Sequence, residues 1–455
     1  MKKVILILAV FAASLMGANA YEKRDLLQRS ATEAEVKASL VMDQKWVPYP
    51  AYSDRNGWNN LLGDYRDNII KTGEKCLDYK WEVVKASQYL EFEKSGSRDI
   101  MDKPNNRNST AFGKLLMAEL AEGKGRFLTD IMDGVFYFCE QTTWAESAHL
   151  VRFQKSGRAI PDYRTDVLEL KQGGLAQMLS WTYYFLHDQL DKIDPIISMR
   201  LRHELQKREL DPFINRTDFW WMAWKESPTV FVNNWNPWCN ANALLCYMLL
   251  ENDRDKLAKA VYKSMISVDR YLNYVKADGA CEEGATYWGH AFGKLFDYLQ
   301  ELQMITGGKV SLFNNKLVKD MGEFVAKSYI GNGYAVNFAD ASAHVSNYMA
   351  LVYRCGKALG SREMMDMAVD CFKEKPETVT SVWLDTYKQI EAMKVLKEMS
   401  QAKGGYKADA FTWYPQTEFC YMRNAEAFFA GKGGYNDESH NHNDIGSFVL
   451  YYDNT

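Results

Sequence analysis

Apolar positions recur in steps of three and four along most of this chain. Leu257, Val261, Met265, Val268, Leu272 and Val275 paint one face of a helix, and the polar run ENDRD before them offers cap residues. Phe127, Ile131, Val135 and Phe138 do the same over 126–142. Further helical stretches are predicted near 113–122, 166–190, 240–250, 289–305, 314–328, 344–359 and 379–400, mostly with short connections. So many helix pairs without a repeat of about 34 residues predict a mainly α fold, a helical toroid or barrel rather than a regular solenoid.

The texture changes after KGGYKAD at 403–409. TEFCYMRN, AEAFFA and GSFVLYYD are short alternating or aromatic-rich runs separated by Gly and Asn, the pattern of strands. In the last run Phe448, Leu450 and Tyr452 are expected to face one way, with Ser447, Val449 and Tyr451 opposite. The expected division is a signal segment at 1–20, a helical domain at 21–405 and the beginning of a β domain at 406–455. About 45 residues supply too few strands for an independent sandwich, so the chain is expected to be truncated relative to the natural protein.

The N-terminal segment carries Lys2 and Lys3, an apolar run from Val4 to Met16 and a small-residue Ala18-Asn19-Ala20 site, which predicts a cleaved secretory signal. The run is shorter than the ~20 apolar residues of a membrane span. The expected location is therefore the bacterial periplasm or the outside, with no membrane span. Formal charge is −4, and −6 without the two signal lysines; no basic stripe marks a nucleic-acid binder. The eight cysteines form no CxxC pair and read as small core residues. Cys239 and Cys246 would lie about 10 Å apart on a helix, too far to bridge. Tyr, Phe and Trp make up 14% of the chain, which suits a sugar-gripping cleft or a large core.

Three stretches could carry chemistry. FVNNWNPWCNANAL (231–244) crowds Asn233, Asn234 and Asn236 around Trp235 before a helix; amides donate hydrogen bonds without charge, and Asn and Pro also suit a helix start. DGACEEGATYWGHAFGKLFDYL (278–298) is a Gly-rich acidic loop leading to Tyr287, Trp288 and His290. Tyr287 could donate a proton if neighbouring donors or cations lowered its phenol pKa, ordinarily ~10. Glu282 and Glu283 read as a carboxylate pair for hydrolysis or as first-turn acids. GGYNDESHNHNDIGSF (433–448) places His440 and His442 two apart, one as a base near neutral pH and the other as a ligand or orienter, where zinc would need three or four ligands.

Together NNWNPWCN, EEGATYWGHA, YAVNFADAS and ESHNHNDIGSFVLYYD, in this order, resemble the heparinase II/III family of polysaccharide lyases over nearly the whole mature chain. The resemblance implies an incomplete (α/α) toroid of helical hairpins followed by an antiparallel β-sandwich. It also implies a cleft where a uronic-acid-containing glycan is cut by β-elimination. It assigns Asn233 or Asn234 to neutralising the substrate carboxylate, Tyr287 as acid and His440 as base. His442 matches a position that holds structural zinc in some members, whose other ligands come from strands this chain does not contain. Asn236, Trp235, Glu283, Trp288, His149 and His344 are expected along the substrate cleft. The partner is an acidic polysaccharide or oligosaccharide. Two rivals are an α/α-barrel glycoside hydrolase pairing Glu283 with Asp340 or Asp437, and a non-catalytic glycan-binding protein.

Overall fold

A computed structural model describes residues 22–227, 230–345, 348–376, 385–436 and 442–452. The long helices are α1 (Asp99–Glu122), α2 (Leu128–Glu140), α3 (Leu170–Asp191), α4 (Pro195–Leu205), α5 (Trp235–Leu250), α6 (Arg254–Tyr274), α7 (Phe292–Ile305), α8 (Lys316–Lys327), α9 (Met349–Leu359), α10 (Arg362–Glu374) and α11 (Thr386–Gln401). Two kinds of helix emerge from their burial. In α3, α5 and α7 most residues are buried, polar ones included, as in Gln172, Gln177, Asn240 and Asp297. A helix buried on all sides belongs to the interior of a layered array. By contrast α8 buries Leu317, Val318, Met321, Phe324 and Val325 and turns its lysines outward, which suits an outer position.

The inner helices pack in series, α3 on α5 and α5 on α7, while α4, α6 and α8 lie against them from outside. The array curves back on itself, because α11 meets α3. There Gln177 accepts from the Tyr387 backbone N–H at 3.1 Å and donates to Asp385, the N-cap of α11, at 3.3 Å. Buried ion pairs add to the closure: Arg354 on α9 lies 3.3 Å from both Asp297 on α7 and Glu391 on α11, and Lys294 on α7 pairs with Asp385. Buried pairs add little net stability, yet breaking one strands the partner's charge, so these pin the register of the ring. The fold is mainly α, a toroid of helical hairpins.

A two-stranded hairpin, β1 (Tyr329–Gly331) and β2 (Tyr334–Ala335), follows α8. The C-terminal sheet is antiparallel with order β3 (Phe411–Tyr414), β4 (Phe419–Arg423), β5 (Ala427–Lys432) and β6 (Phe448–Tyr452). Its inner face, with Tyr414, Phe419, Tyr421 and Phe428, is buried; Tyr414 meets Phe324 of α8 at 5.6 Å and Phe419 meets Phe338 at 5.3 Å. Asp278 ties sheet to toroid by accepting from the backbone N–H groups of Gln416 and Thr417, both at 2.8 Å. The predicted alternation in the last strand holds, with an unexpected sense. Val449 and Tyr451 pack inward, while Phe448, Leu450 and Tyr452 face solvent together with Phe411, Trp413 and Met422.

Several helix boundaries differ from the sequence reading. α1 begins at Asp99 rather than 113, through the polar run KPNNRNST, because buried Asn108 bridges Glu82, Tyr79 and Tyr137 there. Helices α4 and α10 were not singled out, and the segment 379–384 lies outside the described residues. All eight cysteines are free thiols, six of them buried, as expected of small core residues.

Candidate active site

The N-terminal ends of α3 and α5 and the loop before α7 come together at one end of the ring. Glu169 caps α3 by accepting from the backbone N–H groups of Lys171 and Gln172, and its carboxylate also meets His149 Nδ1 at 2.6 Å. His149 in turn lies edge-on to Trp235, the first residue of α5, at 4.7 Å. Next to it, Asn234 donates from Nδ2 to the buried carboxylate of Glu283 at 2.7 Å. Inner helices that share a direction present unpaired N–H groups and the positive ends of their dipoles at this end.

The two neighbouring amides do different work. Asn234 is buried and spends an N–H on Glu283. Asn233 is half-buried and turns its Oδ1 to the Trp235 backbone N–H at 3.1 Å, which leaves its amide hydrogens without a protein partner among the described residues. Asn236 does not reach the cleft. It is fully buried, and its Nδ2 donates to Trp221 O at 2.8 Å and Ser267 O at 2.9 Å, so it clamps α5 to its neighbours instead of contacting substrate.

Tyr287 sits in the short helix Ala285–Trp288, half-buried. The condition set for it from the sequence is reversed: burial, then the charges of Asp340 and Glu283, raise its phenol pKa above 10. A raised pKa keeps the proton on the phenol at neutral pH. Its ring lies 5.6 Å from that of His290, which stacks on Trp238 at 5.1 Å with the planes 12° apart. His290 is open to solvent, yet protein surrounds it closely enough that burial, with Lys388 and Lys294 nearby, pushes its pKa down to about 4. His290 and Trp238 were not assigned to the site from the sequence, although both stand inside the quoted motifs.

The remaining expected residues divide. Trp288 is fully buried and its Nε1 donates to Met321 O at 2.9 Å, so it supports the Tyr287 helix from behind and does not touch a sugar. His149 has both ring nitrogens engaged, Nδ1 with Glu169 and Nε2 with Arg98 at 3.0 Å. Arg98 can only donate, so Nε2 accepts and Nδ1–H faces the carboxylate. His149 therefore braces the cleft wall and offers no nitrogen to substrate. Glu283 is buried behind Asn234 and acts through it. Trp235 is half-buried in an aromatic cage, and His344 is exposed, with its ring 4.7 Å from Tyr334. The loop bearing His344 is tied to the site where Ser342 N–H donates to Thr286 Oγ1 at 2.7 Å.

His440 and Asp437 lie outside the described residues. His442 places Nε2 2.6 Å from Asp340 Oδ1. The chain bends just after it, at Asn443 (φ +54°), before β6 begins. Among the described residues no group of three or more His, Cys, Asp or Glu side chains could hold a metal ion. Among the described residues His442 and Asp340 bring two donors together, where zinc needs three or four. Among the described residues no helix is long and apolar enough to cross a membrane.

No protein-family model matches this chain, and no curated protein matches it. Solved structures do. A chondroitin AC lyase mutant of Streptomyces coelicolor A3 is similar at 12% identity, over 90% of this chain and 58% of that one, with a TM-score of 0.53. The heparan sulfate lyase HepC of Pedobacter heparinus is similar at 10% identity over 94% and 59% of the two chains, TM-score 0.48. A heparinase III aligns at 12% identity over 86% and 56%, TM-score 0.47. At these identities the likeness concerns the fold, and this chain spans a little under three-fifths of each protein's length.

Proposed function

We propose that this chain carries the active cleft of an exported polysaccharide lyase that cuts a uronate-containing glycan by β-elimination. The observation that carries the reading is the juxtaposition of a proton-retaining phenol, Tyr287, with amides that donate without charge at the head of α5. The similarity of the fold to a chondroitin AC lyase and the family resemblance of the motifs support it.

The C5 proton of a uronate is hard to remove while the carboxylate is ionised, because charge builds toward an enolate. The amide of Asn233 donates to that carboxylate and stabilises the developing charge, with Asn234 and Glu283 fixing the turn behind it. A base takes the C5 proton, and the C–H electron pair becomes the C4=C5 double bond. The C4–O4 bond breaks, and the Tyr287 phenol gives its proton to O4. A phenol with a raised pKa still suits this step, since the departing alkoxide is far more basic. His440 is assigned as the base. It stands two residues before His442, which meets Asp340, whose charge Tyr287 feels.

A hydrolase reading fits less well. Glu283 is buried against Asn234, and Asp340 is paired with His442, so neither is poised over a shared water. The test is ultraviolet absorbance of unsaturated uronate products while the protein is incubated with a panel of uronic-acid polymers. Cleavage without a new double bond would refute the lyase reading.

A further inference from the structure

Arg152 is near the end of the short helix Ser147–Phe153, and its guanidinium carbon lies 3.9 Å from the centre of the Trp220 ring. The arginines around it each hold a carboxylate: Arg98 with Glu146, Arg158 with Glu93, Arg164 with Asp162 and Arg216 with Asp218. Arg152 is exposed and, among the described residues, makes no hydrogen bond or ion pair. Beneath it the Trp220 indole N–H is buried and, among the described residues, has no acceptor. A cation without a counter-charge and an indole donor without an acceptor thus meet in one contact.

The position matters as much as the pairing. Trp220 lies 5.1 Å from Trp235, and Trp235 directly follows the amides Asn233 and Asn234. Contact therefore runs unbroken from Arg152 through two indoles to the head of α5. A guanidinium whose face is covered by an indole keeps its N–H edge free, in a fixed plane, and that edge matches the two oxygens of a carboxylate or sulfate. Stacking also removes part of the rotamer freedom that an arginine would otherwise lose on binding.

We propose that Arg152, held over the Trp220 ring, is an anion-binding subsite for the acidic group of a sugar adjacent to the one that is cut. The assignment rests on the lyase reading only for the word "cut", since binding can be measured without turnover. Trp235 then forms the wall between this subsite and Asn233.

The experiment uses the full chain carrying Tyr287→Phe, titrated calorimetrically at low and high salt. Three probes are used: an oligosaccharide bearing carboxylates alone, one bearing sulfates alone, and the first after its carboxyl groups are reduced to alcohols. Arg152→Ala is expected to weaken binding of an acidic probe about 10- to 100-fold, the range of one charge-assisted contact. It should also flatten the salt dependence and leave the reduced probe unaffected. Arg152→Lys should recover only part of the loss, because a point charge lacks the fork, and its melting curve controls for folding. Whichever acidic arm loses affinity identifies the group recognised. Unchanged binding of both acidic probes, or an equal loss for the reduced probe, would overturn the proposal. If binding behaves as expected while no unsaturated product forms from any polymer, the lyase reading falls and the subsite stands.

Discussion

Replacing Tyr287 by Phe removes one oxygen and leaves the ring. The ring contact with His290 at 5.6 Å is retained, and the side chain is only half-buried, so thermal stability should change by no more than about 1 kcal/mol. The catalytic effect should be far larger. Losing a positioned general acid costs about 10²- to 10⁴-fold in rate, which is roughly 3 to 5 kcal/mol of barrier. The pH profile of the parent sharpens the test. Burial and the carboxylates of Asp340 and Glu283 raise the Tyr287 pKa, so the acid stays loaded through neutral pH and its alkaline limb should lie above pH 10. The assay is initial-rate absorbance of unsaturated uronate, with the midpoint of thermal unfolding alongside. A variant that retains more than a tenth of the activity with an intact fold would remove Tyr287 from the mechanism. An alkaline limb well below 10 that disappears in Tyr287→Phe would show the electrostatic argument to be wrong in sign.

Other outcomes follow from the same contacts. Asn233→Ala should cut turnover by about 10²- to 10³-fold, the cost of one lost donor to a developing oxyanion, with little change in melting temperature. Asn234→Ala should instead destabilise the fold by about 1.5 to 3 kcal/mol, because Glu283 is a buried carboxylate that loses a charged hydrogen bond; comparing melting curves with kinetics separates the two. Asp102 has a buried oxygen without a hydrogen-bond partner, and burial followed by the charge of Glu146 raises its pKa to about 7. A carboxyl with a raised folded-state pKa costs nothing at pH 4 and costs progressively more up to pH 7. The stability gained in Asp102→Asn should therefore grow from pH 4 to 7 and then level off; a flat difference in melting temperature would contradict the shift. On the sheet, Phe448→Ser and Leu450→Ser should reduce binding of an apolar fluorescent dye without lowering the melting temperature, since both side chains are exposed.

How much of the fold was legible depends on what kind of position carries the information. α6 was plain because one face is apolar and the other polar, the arrangement that periodicity detects. The inner helices were harder, since a helix buried all round has little contrast between faces. α3 was found through its length, but its start at Leu170 is set by the Glu169 cap and not by the apolar pattern. α1 was cut short in the reading because Pro104 and the Asn-rich run have poor helix propensity, and only the bonds of Asn108 to a distant loop explain why the helix continues. β6 shows the complementary limit: period two fixed which residues share a face, while the direction of that face depends on what packs there.

The site divides along the same line. Residue types and order singled out stretches that the fold brings together, since amides at 233–234 and an acidic loop before Tyr287 do converge. Roles did not follow from types. Asn236 carries the same chemistry as Asn233 three residues before it, and Trp288 the same as Trp238 in the other motif. Yet helical geometry turns Asn236 and Trp288 into the core and Asn233 and Trp238 toward the cleft. Tyr287 makes the point most clearly. A phenol pKa lowered by neighbouring donors or cations is what the sequence led one to expect of a proton donor there. The fold sets Asp340 and Glu283 near Tyr287, and burial with those charges holds the proton on the phenol, which under the proposed function is the state that protonates a departing alkoxide. The negative surroundings also bear on binding. Under the proposed function, Glu283, Glu169 and Asp340 do not attract an acidic glycan, whereas the helix N-termini and the exposed Arg152 at the edge supply positive potential for it.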